Sequence, residues 1–118
     1  MNQNTKTTVA RKLVYIAGPM RGIEGFNYPA FNRAERTLRK LGWEVVNPAT
    51  FGDAYGTPDE INADRQLLHR LMNDELRELA KCDAIYLLRG WEKSMGARGE
   101  LGLAIHLNLE IVEQRVTR

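Results

Sequence analysis

The sequence predicts an α/β protein: a three-layer α/β/α, Rossmann-like (flavodoxin-like) fold on a small parallel sheet of four to five strands. Three observations predict it. Short, almost wholly apolar runs alternate with segments of helical period along the chain, as expected when crossover helices cover both faces of a sheet. The first two apolar runs end in Gly18-Pro19 and Asn47-Pro48, dipeptides that stop a strand. The 118 residues suffice for one domain that buries about two-thirds of its surface without staples.

Residues 12–17 (KLVYIA) read as the first strand, ended by Gly18-Pro19. A helix is expected over 27–41, with Asn27 as its cap, Pro29 in its first turn, and Phe31, Ala34, Leu38 and Leu41 at helical spacing until Gly42. Its basic residues Arg33, Arg36, Arg39 and Lys40 read as a solvated face. Residues 43–46 form the second strand. Residues 49–60 read as a Gly/Pro/Asp-rich loop, long enough for function to be expected of it. A long helix, with room for a break, is expected over 61–81, a third strand over 83–88, a helix from Ala97 onward and a fourth strand over 109–113. Residues 1–11 read as a polar tail and 12–118 as the single domain.

Composition narrows the function classes. A net charge of +2 is too small to imply a nucleic-acid polymer or an anionic membrane as partner, and no apolar run approaches a membrane span. The sole cysteine, Cys82, forms no internal disulfide and leaves no Cys/His cluster for a structural metal. The expected compartment is the cytoplasm. Nothing matches a nucleophilic triad, a phosphate-binding Walker loop or a dinucleotide fingerprint.

Two carboxylates stand where apolar side chains belong. On a wheel of about 100° per residue, Leu103, Leu107, Ala104, Ala97, Leu101 and Ile105 fill one arc, and Glu100 lies inside it. On the preceding helix, Glu75 falls between Leu71 and Leu68, with Asp74 at the edge of the arc. An unpaired core-facing carboxylate costs several kcal/mol, so these residues suggest a site. Paired carboxylates in a crevice divide labour, one stabilising or capturing a cationic sugar centre while the other handles a proton. In a parallel sheet with right-handed crossovers, the loops at 18–22, 47–60 and 89–96 leave the same edge and converge on one crevice.

Three motifs in order carry a resemblance: Tyr15-Ile16-Ala17-Gly18-Pro19-Met20-Arg21-Gly22, then Glu75-Leu76-x-x-Leu79-x-x-Cys82-Asp83, then Ser94-x-Gly96-x-x-x-Glu100-Leu101-Gly102-x-Ala104. Over residues 12–112 the chain resembles the nucleoside 2-deoxyribosyltransferase superfamily. The likeness is closest to small phage and bacterial members of unassigned function, the DUF4406 type, with a Gly-Trp-Glu-x-Ser-x-Gly-Ala loop at 90–97. The last motif is also similar to that of the 2'-deoxynucleoside 5'-monophosphate N-hydrolases. The resemblance implies cleavage of the N-glycosidic bond of a nucleoside or its 5'-monophosphate, by hydrolysis or base transfer, without cofactor or metal. It implies Glu100 as nucleophile, oriented by Tyr15, and a homodimer or larger homo-oligomer, with Met72, Leu76 or another face of the long helix as contact. The family's acid, usually aspartate, falls here on Glu75, with Asp74 as the alternative one residue away. Pro19 replaces a serine of the monophosphate hydrolases. Gly18, Met20, Arg21, Ser94 and the amides around Gly96 remain for the substrate. Trp91 stacks on a base or packs as a lid, and Arg98 reaches phosphate or a neighbouring carboxylate. His69 and His106 read as structural or solvent-facing. The alternative to an enzyme is a non-catalytic nucleotide-binding module on the same fold.

Overall fold

The computed structural model describes residues 12–115; the expected tail at 1–11 lies outside them. In chain order the elements are β1 (Leu13–Ala17), α1 (Tyr28–Lys40), β2 (Glu44–Val46), α2 (Ala49–Tyr55), α3 (Pro58–Ala63), α4 (Arg65–Leu79), β3 (Ala84–Leu87), α5 (Met95–His106) and β4 (Glu110–Glu113). Short 3-10 turns precede α1 at Glu24–Asn27 and α5 at Trp91–Lys93.

The strands form one parallel sheet in the order β2-β1-β3-β4. The α/β class and the Rossmann-like layering are as the sequence predicts. β1 alternates its side chains between two cores. Val14 and Ile16 pack with Phe31, Ala34 and Leu38 of α1, while Tyr15 and Ala17 pack with Leu79 of α4 and with Ala97 and Ala104 of α5. The order reverses direction at β1, so the crevice outside the carboxyl ends of β1 and β3 is the topological switch point of the fold.

The segment after β2 corrects the expected loop at 49–60. It holds two short helices, α2 and α3, and α3 opens with a capping box in which the Thr57 hydroxyl accepts from the Glu60 amide and the Glu60 carboxylate accepts from the Thr57 amide. Ile61 of α3 is fully buried and joins Phe26 and Leu71 in a third, small core. The long helix is broken at Asp64, whose carboxylate accepts from the amides of Gln66 and Leu67 and starts α4 afresh. Because this break lies eleven residues before Glu75, the α4 wheel keeps its phase and Glu75 stays inward.

Asn27 is not the side-chain cap of α1. Gly25, Phe26 and Asn27 all adopt positive φ, and the Asn27 amide instead donates to the Pro19 carbonyl oxygen at 3.0 Å. That bond ties the loop after β1 to the start of α1. The α5 helix begins two residues earlier than expected, capped by the Ser94 hydroxyl, which accepts from the Ala97 amide at 3.1 Å. Its apolar arc is also narrower than the wheel suggests: Ile105 and Leu107 are exposed, and the inward face is Ala97, Glu100 and Ala104.

Candidate active site

A crevice of about 680 Å³ opens at the switch point, a size ordinary for a small-molecule site. Gly18, Met20, Arg21 and Gly22 line it from the loop after β1, Pro48 from just after β2, Lys93 and Ser94 from the segment after β3, and Met95 to Ala97 from the first turn of α5. The long helix contributes Leu71, Met72 and Glu75, and α5 contributes Glu100. Gly18 is required by close approach: a Cβ there would stand 2.7 Å from the Leu88 Cβ, closer than two carbons tolerate.

Glu100 and Glu75 are each only 6% exposed. The Tyr15 hydroxyl, itself inaccessible, donates to Glu100 Oε2 at 2.6 Å, the length of a strong charge-assisted bond. None of the ion pairs among the described residues reaches either carboxyl, and among those residues Glu75 has no hydrogen-bond partner. A structural pair neutralised by arginine is therefore absent among the described residues.

The electrostatics follow from that isolation. Burial raises the Glu100 pKa above the carboxylate range, and the Tyr15 hydrogen bond pulls it partly back. Glu75 rises further, first by burial, then by repulsion from Glu100 and from Asp74. Between its two ionisations the pair shares one proton; Glu75 is the more strongly raised, and Glu100 is the first to ionise. Tyr15 is pushed well above the usual phenol range by burial and by both carboxylates, so it remains a donor. The helix dipole of α5 adds little at Glu100, the sixth residue of the helix, because the effect fades within the first turn.

The other expected site residues divide. Asp74 points away from the crevice, held by the Tyr55 hydroxyl and by Arg77 at 3.0 Å. Trp91 does not line the crevice; its indole donates to Glu113 Oε2 at 3.1 Å and packs against the core under α5. Arg98 stands exposed on α5 outside the lining. Met72 lines the crevice and Leu76 packs onto the core, both half-buried. Lys93, which sequence reasoning misses, and His69, which it places outside the site, both line the mouth. The available signal is that His69, Met72 and Glu75 share one stripe of α4 at spacing three.

Among the described residues no three His, Cys, Asp or Glu gather where a metal ion would sit, and no helix is long and apolar enough to cross a membrane. One family matches the chain, over residues 12–113, described as Domain of unknown function (DUF4406). The chain belongs to the DUF4406 family. No curated protein matches it. The crevice of this DUF4406 domain holds a buried carboxyl bonded to a buried tyrosine, a second buried carboxyl, and a mouth open toward solvent.

Proposed function

We propose that this DUF4406 domain cleaves the N-glycosidic bond of a nucleoside or its 5'-monophosphate, by hydrolysis or base transfer. The observation that carries the reading is the pair of buried carboxyls without a cation, one of them fixed by Tyr15. The three motifs at 15–22, 75–83 and 94–104 support it through their resemblance to the nucleoside 2-deoxyribosyltransferases.

In this mechanism the Glu100 carboxylate attacks the anomeric carbon as the bond to the base nitrogen breaks. Positive charge builds on the sugar in the transition state, and an ionised carboxylate about 3–3.5 Å away both stabilises and captures it. The electron pair of the breaking bond goes to the base, which takes its proton from Glu75. The result is a glycosyl ester on Glu100 and a Glu75 carboxylate. Glu75 then removes a proton from water, or from an incoming base, as that nucleophile displaces Glu100 and restores both groups. Tyr15 does not line the crevice and its hydroxyl donates to Glu100, so it is a positioning residue. We place the enzyme in the cytoplasm as a homo-oligomer; the exposed Met95, Ile105 and Leu107 at α5 support the assembly.

The test is release of free base, followed by liquid chromatography, from a panel of deoxynucleosides, ribonucleosides and their 5'-monophosphates. Wild type should release base and Glu100→Ala should not. A variant retaining more than about a tenth of the rate, a loss below roughly 1.4 kcal/mol, would exclude Glu100 as nucleophile. Binding of substrates without any turnover by wild type would favour a non-catalytic nucleotide-binding module.

A further inference from the structure

Just before α1 the backbone takes a strained path. Gly25, Phe26 and Asn27 follow one another in the left-handed region, at φ of 63°, 55° and 62°. Glycine adopts that conformation freely, but the side chains of Phe26 and Asn27 crowd the backbone there, and a residue as bulky as Phe26 enters it rarely. Asn27 stands at the cap position of α1 yet makes no side-chain bond to the helix, although asparagine is among the best caps. Its side chain instead donates from Nδ2 to the Pro19 carbonyl oxygen at 3.0 Å, eight residues back. A carbonyl oxygen only accepts, so the contact fixes which end of the amide faces the loop. Strain and an unused cap at one position persist only where the surrounding structure imposes them.

The bond closes the loop that walls the crevice. Met20, Arg21 and Gly22 line the crevice from between the two bonded residues. The backbone bonds within this segment are local, from the Ile23 amide to the Met20 carbonyl at 3.2 Å and from the Phe26 amide to the Ile23 carbonyl at 2.9 Å. At its start the loop is wedged against the segment after β3. A Cβ on Gly18 would stand 2.7 Å from the Leu88 Cβ, and one on Gly90 would stand 3.5 Å from the Pro19 Cγ. Pro19 is therefore held on two sides, by packing against the segment after β3 and by the Asn27 amide. At the far end the left-handed turn carries Phe26 into the small core with Ile61 and Leu71, where it is 3% exposed and lines the same crevice. Leu71 lies about one turn before Glu75 on α4. One strained turn thus anchors the loop beside the acids and supplies the bond that closes it.

We propose that Asn27 is a positioning residue of the crevice: its amide, donated to the Pro19 carbonyl, holds residues 18–22 as the wall against which the substrate sits. The substrate is that of the N-glycosidase reading, on which this role rests. Asn27 itself does not line the crevice, so it acts through the loop. Of glycine, asparagine and aspartate, which tolerate this backbone, asparagine alone carries a side-chain N–H. Glycine keeps the conformation without the bond, and aspartate keeps the shape but turns an acceptor toward the carbonyl.

The experiment compares wild type with Asn27→Gly and Asn27→Asp, chosen because both suit the left-handed backbone. Hydrogen exchange followed by NMR reads the Ile23 and Phe26 amides against those of β1 and α4. Thermal denaturation reads the whole fold, and base release reads kcat and KM. Both variants should melt within about 5 °C of wild type and exchange at least about tenfold faster at Ile23 and Phe26, with β1 and α4 unchanged. KM should rise at least about fivefold while kcat stays within about twofold, because both acids sit on helices outside the loop. Unchanged exchange at the two amides would overturn the proposal. Faster exchange throughout the chain would overturn it too, since the bond would then merely hold the fold together. Faster local exchange with KM unmoved would also overturn it and leave the N-glycosidase reading standing. If wild type releases base from no substrate, that reading fails and exchange decides alone: local acceleration upholds Asn27 as the tie of the crevice wall, and its absence overturns it.

Discussion

Replacing Glu75 by glutamine tests the shared proton without reference to any substrate. Glu75 is 6% exposed, and burial and the Glu100 charge raise its pKa from 4.5 to about 9. Between these values the unfolded chain carries an ionised Glu75 while the folded protein keeps it protonated. The native state then binds more protons than the unfolded one, so stability is greatest below the unfolded pKa and falls as pH rises toward the folded one. Each pH unit across that window removes about 1.4 kcal/mol. Counting only two of them, wild type loses about 3 kcal/mol to this residue, a large part of the roughly 5–15 kcal/mol of a small domain. Glutamine cannot ionise.

The assay is urea denaturation of wild type and Glu75→Gln at pH 5, 7 and 9. A buried amide short of partners adds an offset of about 1–3 kcal/mol that does not vary with pH, so the readout is the slope. The difference, variant minus wild type, should rise by at least about 3 kcal/mol in the variant's favour from pH 5 to pH 9. A difference that stays flat, or that turns against the variant at pH 9, would refute the shared proton and with it the assignment of Glu75 as acid.

Three further outcomes are expected. Base release should rise with pH as Glu100 ionises at about 7 and fall as Glu75 loses its proton at about 9; Tyr15→Phe, lacking the 2.6 Å hydrogen bond, should move the rising limb to higher pH and lower kcat by about ten- to a hundredfold. Gly18→Ala should destabilise the fold by about 1–3 kcal/mol in thermal denaturation, through its clash with Leu88. Light scattering at micromolar concentration should report a dimer or larger assembly rather than a 13.5 kDa monomer, and Ile105→Lys on the exposed face of α5 should shift that distribution toward the monomer.

The two acids are legible in the sequence because helical period is a strong signal and a carboxylate inside an apolar arc interrupts it. Glu100 and Glu75 need only the wheel. The sequence leaves the break of the long helix open, and its position at Asp64 decides between Glu75 and Asp74. Elsewhere local composition misleads. Gly52, Gly56 and Pro58 make 49–60 look like a loop, yet Thr57-x-x-Glu60 is a capping-box spacing that marks the start of α3. Trp91 sits on the loop expected at the crevice, but its indole turns back to Glu113 on β4, a contact 22 residues away that no local pattern encodes. His69 lies at the margin of the α4 arc, where a side chain reads as structural or solvent-facing. Only the assembled crevice shows that this margin is the mouth.

Where the chain departs from local rules is itself informative. Away from the crevice those rules are kept: Asp64, Ser94 and Thr57 cap their helices, and exposed pairs such as Arg39–Glu35 and Lys81–Glu78 stand at helical spacing. At the carboxyl edge of β1 the departures accumulate within one loop and two helix faces. Gly18 admits no side chain beside Leu88, Phe26 and Asn27 hold positive φ, and Glu75 and Glu100 are buried without a cation. Each of these opposes folding, and nothing in the packing of a four-stranded sheet demands them together. Phe26, the strained residue, lines the same crevice as both acids. Strain and desolvated charge concentrated on one cavity are what a binding or reaction site requires, since the same groups that destabilise the empty domain become partners of a ligand.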